Sequence, residues 1–336
     1  MSRLDERKVL VLSIIVDNYI KHKQAAGSRV LTKRYNLNFS PATMRNVMLD
    51  LEEMGYLTHT HTSGGKIPTP KGIKFYIDMI MQNFSPKLKS EFERIPLNDT
   101  FGSLDDKMNK ILDTMSSLSE VVSVLTMPDF SKTKIKNIQF IRIGDGKILC
   151  VLVSDSNIME TKVVSVEKTP TDTELKEFSE FISEKYKGYS LEEIADELRG
   201  YLEGERRQCE TLIYNLKKEA QKPKVMVDGI ENIFKYPEFQ RDLEKLKKLV
   251  KTLEDRKTLL ELIRSAIKSE RFILIGDELP LPGLDELGFV SSAYKYLDKN
   301  IGVVGVVGPI NMDYTEMMNI IESAKKKIND ILNIGG

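Results

Sequence analysis

The stretch that decides the fold of the first part of this chain is GSRVLTKRYNLNFSPATMRNVMLDLEEMGYLTHTHTSGGKIPTP, residues 27–70 of 336. It opens with a short helical segment that Ser28 is expected to cap, and Asn36 to Asn38 suit a turn. Ser40 then precedes Pro41, which is typical of a helix start because serine caps free amides and proline is tolerated at the first helical position. The pattern predicts helix, turn and second helix.

The second helix has one apolar and one polar face. Its apolar residues recur at helical spacing and are Met44, Val47, Met48 and Leu51. Asn46 lies nearly opposite them, with Thr43 and Arg45 on its flanks, so small polar and cationic groups point outward.

A hairpin is expected after Gly55 ends this helix. Tyr56 to Thr60 alternates like a strand, Ser63 to Gly65 suits a tip, and Lys66 to Thr69 suits a return strand. Helix, turn, helix and hairpin together predict a winged helix-turn-helix, which lays its second helix in the DNA major groove.

Positive charge is concentrated in the first 82 residues. They contain 12 Lys and Arg against 7 Asp and Glu, a net charge of +5, whereas the whole chain has 50 of each sign. A locally basic surface favours phosphate binding. From spacing alone, a protein-binding helix-turn-helix module stays open as the alternative.

Composition and motifs argue against several classes of function. With 41% hydrophobic and 30% charged residues the chain suits a soluble, cytoplasmic protein, and no apolar run approaches the roughly 20 residues of a membrane span. Cys150 and Cys209 have no cysteine or histidine close by, so neither a disulfide framework nor a metal site is expected. Phosphate-loop, nucleophile-elbow and zinc-protease motifs are absent from the sequence, so we expect neither an enzyme nor a cofactor.

His59 and His61 share one face of the first hairpin strand. Metal binding is conceivable there, but a further ligand is lacking nearby in sequence. Contacts with a phosphate backbone are the favoured interpretation.

The rest of the chain mixes helices and strands. The pattern predicts helices over 104–125, 171–187, 190–220, 237–269 and 314–330, and strands over 138–143, 148–154, 159–166, 224–227, 272–275, 290–297 and 301–307. This order predicts an α+β fold.

Four parts are expected. They are a winged-helix domain over 1–82, a linker over 83–103 that lets the head adjust its angle, an α/β domain over 104–166 and 224–336, and a region over 167–223 inserted into it. The insertion starts near residue 137 if the three preceding strands belong to it. Its charged helices either form a dimer contact or pack on their own domain.

Segments at both ends of the chain resemble the HrcA family of heat-inducible transcription repressors. They are Ser40–Asn46, Leu51–Leu57 and His61–Thr69 near one end, and Val227–Gly229, Tyr236–Phe239 and Gly302–Tyr314 near the other. The sequence departs from the family pattern in two places. The hairpin tip Ser63-Gly64-Gly65-Lys66 has glycine where another small residue is expected and Lys66 where arginine is expected, and Asn311 also stands where arginine is expected. The Lys66 exchange keeps the charge but loses planar pairing with phosphate.

The resemblance implies a dimeric repressor with a winged-helix head, a GAF-like α/β domain and a dimerising insertion. It implies binding to double-stranded DNA at the CIRCE inverted-repeat operator of chaperone genes, in the cytoplasm and on the nucleoid. It further implies that the GroEL chaperonin maintains activity, which is lost on heat shock. The competing hypothesis is a winged-helix repressor gated by a small molecule in the GAF-like domain.

Expected DNA contacts fall into two groups. We assign base contacts to Thr43, Arg45 and Asn46, because arginine suits guanine and asparagine suits adenine. Contacts that position the protein on the sugar-phosphate backbone are expected from Ser28, Arg29, Lys33, Arg34, Ser40, His59, His61, Thr62, Ser63 and Lys66.

Overall fold

The computed structural model describes residues 4–60, 63–97, 104–198, 206–222, 224–236, 240, 243–268, 270–279, 286–296 and 298–333. The helices are α1 (Glu6–His22), α2 (Ser28–Arg34), α3 (Pro41–Glu53), α4 (Pro70–Gln82), α5 (Leu104–Ser119), α6 (Asp172–Lys185), α7 (Leu191–Leu198), α8 (Arg206–Ala220), α9 (Leu243–Glu254), α10 (Arg256–Ala266) and α11 (Tyr314–Leu332). The strands are β1 (Leu57–Thr60), β2 (Ser63–Pro68), β3 (Val122–Thr126), β4 (Ile135–Gly144), β5 (Lys147–Ser154), β6 (Met159–Ser165), β7 (Val225–Asp228), β8 (Arg271–Ile275), β9 (Leu287–Tyr296) and β10 (Lys299–Pro309). None of these helices is long and apolar enough to cross a bilayer.

The start of α3 follows the sequence prediction. The Ser40 hydroxyl accepts a hydrogen bond from the Thr43 amide at 3.1 Å, and Pro41 is the first helical residue. The prediction for Ser28 was wrong: Ser28 is the first residue of α2, and Gly27 is the N-cap without any side-chain cap. Glycine is tolerated there because its backbone adopts the extended cap conformation at little cost.

The hairpin of β1 and β2 lies against the connection between α1 and α2. β2 begins at Ser63, earlier than the predicted return strand, so Gly65 is a strand residue. A Cβ atom on Gly65 would lie 3.0 Å from the Ala25 Cβ and 3.1 Å from the Ala26 amide nitrogen. Glycine therefore permits the close approach in which Ala26 pairs with Lys66.

A five-stranded antiparallel sheet forms the centre of the α/β domain. Its strand order is β7-β3-β10-β9-β8. Side chains of α5 and α11 pack on one face, and those of α9 and α10 on the other. β3 was predicted as helix; instead α5 ends at Ser119, and Glu120 turns the chain with a φ of 53°.

Strands β4, β5 and β6 form a separate antiparallel sheet. Helix α6 packs along β4 and α8 along β6. These strands therefore belong with the charged helices that follow them and not with the five-stranded sheet. The hairpin turn at Asp145-Gly146 joins β4 and β5 as the sequence suggests.

Of two helices predicted as continuous, the one over 237–269 is interrupted. The segment over 190–220 contains α7 and α8, with residues 199–205 outside the described part. The segment over 237–269 contains α9 and α10, separated by Asp255, whose carboxylate accepts a hydrogen bond from the Thr258 hydroxyl at 2.6 Å. The single residue Asp255 therefore divides the predicted helix into two.

The expected linker is docked on α11. The amides of Lys87 and Lys89 donate to Asn319 and Ser323, both at 2.9 Å. The Lys89 ammonium also lies 2.6 Å from Glu316. Phe92 and Ile95 are buried beyond this point. This part of the connector is therefore packed rather than free, which contradicts the expected adjustable linker.

The head contacts the α/β domain through two lysines. Lys23 donates to the backbone carbonyl of Asn311, the position where the family pattern carries arginine. Lys74 donates to the carbonyl of Ile273 at 2.9 Å and lies 3.9 Å from the Glu278 carboxylate.

Candidate nucleic-acid interface

The outward face of α3 presents polar side chains that are free of internal partners. Arg45 and Asn46 are exposed, opposite the buried Met44 and Met48. Among the residues that the structure describes, neither side chain has a hydrogen-bond or ion-pair partner. Thr43 is half-buried and its hydroxyl lies 3.0 Å from that of Ser40, at the helix N-terminus. This end of a helix attracts anions such as phosphate.

Helix α2 adds cations beside this face. Arg29 and Lys33 are exposed and have no partner among the described side chains. Arg34 donates to the side-chain oxygen of the buried Asn18, so one of its nitrogens is already used. The half-buried Ser28 accepts the Thr32 hydroxyl on its carbonyl at 2.7 Å.

The hairpin is fastened to α3 by a carboxylate. His59 and Lys66 are cross-strand partners in the β1–β2 register, and both reach Glu52 on α3. The His59 Nε2 lies 2.9 Å from one Glu52 oxygen, and the Lys66 ammonium bonds the other. Lys66 also donates to the Met48 carbonyl at 3.2 Å. We call Glu52, His59 and Lys66 the hairpin clasp.

The hairpin clasp corrects one predicted contact. The Lys66 side chain is only 7% exposed and its charge is neutralised by Glu52, so it does not offer an ammonium group to a phosphate. His59 remains 64% exposed despite its contact with Glu52. His61 and Thr62 lie outside the described residues, and only the backbone of Ser63 is described.

Two positioning residues were missed at the sequence level. Lys8 of α1 pairs with Asp50 of α3 at 3.2 Å, and the pKa of Lys8 is raised chiefly by this bond. Glu52 holds the hairpin. Both pairs join distant parts of the chain, so no local spacing indicates them. They neutralise two of the three acids at the end of α3, while Arg29, Lys33 and Arg45 have no partner among the described residues.

Comparison with known proteins identifies the family. The HrcA protein C terminal domain matches residues 105–318. The chain belongs to the HrcA family. The heat-inducible transcription repressor HrcA of Thermodesulfovibrio yellowstonii is 33% identical over 345 residues, 98% of each chain. That of Clostridium perfringens strain 13 is 32% identical over 340 residues, 98% of this chain and 99% of its own.

A solved structure shows the same fold. It is described as the crystal structure of a hypothetical protein at 2.2 Å resolution, with a TM-score of 0.67 and 21% identity. It covers 99% of this chain and 100% of its own. The resemblance to the HrcA family is thus confirmed, and with it the assignment to heat-shock transcription regulation as a repressor.

Proposed function

We propose that this HrcA family member is a sequence-specific repressor of heat-shock chaperone operons that binds the CIRCE inverted repeat as a homodimer. In this proposal the head is a winged helix-turn-helix, with α3 in the major groove and β1–β2 as the wing. One observation carries it: α3 presents unpaired Arg45 and Asn46 outward while its acids are paired internally or lie at its far end.

Base contacts are assigned to Arg45 and Asn46. Asn46 is nearest the centre of the outward face and suits adenine, whereas Arg45 on its flank suits guanine or a phosphate. Arg29 and Lys33 supply phosphate contacts, which position the head without specifying sequence. Ser40 and Thr43 lie where the helix N-terminus approaches the backbone.

The three-stranded sheet supports a homodimer. Its inner face packs on α6 and α8, whereas its outer face carries exposed apolar side chains, of which Met159 is 63% exposed. The others are Ile141, Ile143 and Val163. Contiguous exposed apolar surface of this kind marks interaction sites. We propose that a second copy of the chain covers this bare face, while the charged helices pack on their own sheet.

The five-stranded sheet, covered by helices on both faces, corresponds in this proposal to the GAF-like domain, whose active state the GroEL chaperonin maintains in the cytoplasm. One hollow among the described residues gives no support to gating by a small molecule. This hollow, beside Val122, Leu249 and Val307, has an internal volume of ≈ 10 Å³ and an apolar lining. That is room for about one water molecule.

Fluorescence anisotropy of the full chain tests the proposal. We expect tight binding to an intact inverted-repeat duplex, weak binding to one with a scrambled half-site, and a steep salt dependence. Asn46→Ala should lose about 1–3 kcal/mol of discrimination at one base position. Arg29→Ala should weaken all duplexes alike and flatten the salt slope by about one unit.

Arg264→Ala, at an exposed position on α10, is the matched control and should change nothing. Equal affinity for both duplexes, with and without added chaperonin, would contradict the proposal. Recovery of operator binding after mild heating should be faster with chaperonin. Recovery that chaperonin leaves unchanged would remove GroEL from the mechanism.

A further inference from the structure

Leu49 is an exposed leucine on the outward face of α3. It lies three residues after Asn46 and four after Arg45, so its side chain neighbours both on the helix surface. Its side chain is 41% exposed. Leu49 therefore belongs to the same surface as the two proposed base-contacting residues.

The core of the head does not use Leu49. The buried face of α3 consists of Met44, Val47, Met48 and Leu51, which lie on the opposite side of the helix. On the same side of the helix, the exposed Ala42 lies about two turns before Leu49 and the exposed Glu53 about one turn after it. Packing thus gives no reason for a large apolar group here.

Charge limits how far α3 can follow the groove. Asp50 is neutralised by Lys8, but Glu53 is exposed without a partner among the described residues. A free carboxylate is repelled by phosphate. Leu49 is therefore the last outward position of α3 before a charge that opposes DNA, and it has no polar atom with which to bond a base or a phosphate.

Leu49 is an apolar side chain beside two polar residues that are proposed to contact bases, and the major groove offers one apolar group that it can contact. Thymine alone presents a methyl group, at C5, among the hydrogen-bonding edges of the four bases. We propose that Leu49 is a specificity-determining residue that packs on the C5 methyl group of one thymine in each operator half-site. This inference rests on the proposed function, because it requires α3 to lie in the major groove.

Replacement of thymine by deoxyuridine, which lacks only this methyl group, provides the test. Each thymine of the inverted-repeat duplex is replaced in turn, in one half-site and then in both, and affinity is measured by anisotropy. For the unaltered chain we expect one position whose replacement weakens binding about fourfold in one half-site and about fifteenfold in both, the effect of one buried carbon per head.

Leu49→Ala should bind the thymine and deoxyuridine duplexes equally at that position, while Leu49→Met should retain the sensitivity. Leu88→Ala, a leucine of similar exposure in the connector, is the matched control and should behave like the unaltered chain. Because Leu49 is exposed and alanine favours helix, the variants should fold, which circular dichroism checks.

The outcomes separate the two proposals. Specific operator binding without any methyl-sensitive thymine, or sensitivity that Leu49→Ala retains, overturns the role of Leu49 and leaves the proposed function standing. Failure of the folded chain, with chaperonin present, to prefer the intact repeat overturns both.

Discussion

The two large sheets of this protein differ in how many of their faces are covered. The five-stranded sheet lies between two layers of helices, so β3 and most of β9 and β10 are buried at every position. Within the part of the chain that the structure describes, the three-stranded sheet has helices on one face only, and buried and accessible residues alternate along β5. Both faces of the first sheet are covered by helices of the same chain. The second retains exposed apolar side chains, which the proposed homodimer would cover.

Removing a large side chain from the covered sheet should have the largest effect. Phe289 is buried between β9 and the α9–α10 layer. Phe289→Ala should lower the free energy of unfolding by about 3–5 kcal/mol, because it leaves a cavity in a packed core. Urea denaturation followed by circular dichroism measures this. Phe234→Ala, at an exposed phenylalanine, should stay within about 0.5 kcal/mol. Similar losses for both would show that the sheet is not tightly packed.

Charged substitutions on the bare face of the three-stranded sheet should weaken the proposed dimer rather than destabilise the fold. Ile141 and Val163 are both aligned with Leu149 across the three strands. Ile141→Glu combined with Val163→Glu should raise the dimer dissociation constant at least about 100-fold, since each interface would bury charge. Sedimentation equilibrium measures the constant. Phe181→Glu, at an exposed site on α6, is the control. A dimer unaffected by the double substitution would place its interface elsewhere.

Two buried serines offer a smaller contrast. Beside the three-stranded sheet, the Ser179 hydroxyl of α6 accepts the Phe140 amide of edge strand β4 at 3.0 Å. Ser179→Ala should cost about 1–3 kcal/mol by leaving that amide unpaired. In the five-stranded sheet, the Ser123 hydroxyl is buried without a partner among the described residues. Ser123→Ala should be neutral or stabilising. Chemical denaturation of both variants measures the two changes in the free energy of unfolding. A larger loss for Ser123→Ala than for Ser179→Ala would contradict these assignments.

The smallest expected effects are opposite responses to pH. Glu174 accepts the Thr171 amide at 2.6 Å, which lowers the pKa of Glu174. Its stabilisation is therefore present at neutral pH and is lost as the pH falls through the folded-state pKa. Partial desolvation and then the charge of Asp228 raise the pKa of Asp113, an exposed residue on α5, so ionised Asp113 slightly opposes folding at neutral pH.

Glu174→Gln should accordingly lower the melting temperature slightly at pH 7 and flatten its decline below about pH 4.5. Asp113→Asn should raise the melting temperature at pH 7, with a gain that shrinks on acidification. Thermal melts between pH 3 and pH 7 follow both. Shifts of the same sign at pH 7 would contradict these assignments.

Local signals predicted the head well. Ser40 with Pro41 marks the start of α3, and the apolar spacing from Met44 to Leu51 gives its buried face, because capping and helical periodicity involve residues near in sequence. Charge was a poorer guide. Lys66 was expected on the surface. Its pairing with Glu52 depends on the register of the hairpin and on the packing of α3, and neither can be derived from local sequence.

Burial on both faces explains the main error in the α/β domain. A strand covered on two sides shows no alternation, so Val122–Thr126 looks like the end of the preceding helix. No glycine or proline separates them, and the turn is made by Glu120 in a left-handed conformation that sequence rarely indicates. The alternating β5, by contrast, was predicted nearly to the residue.

The contact between the connector and α11 also affects the order in which parts of the chain can fold during synthesis. Lys87 bonds Asn319, a residue 232 positions later in the chain. At a synthesis rate of about 5–20 residues per second, roughly ten to fifty seconds pass between the emergence of the two. During that interval the head is complete, but the surface that anchors its connector does not yet exist. Each newly made molecule therefore passes through a stage in which its first domain is tethered loosely to an unfinished body, and the ribosome, rather than heat, sets how long that stage lasts.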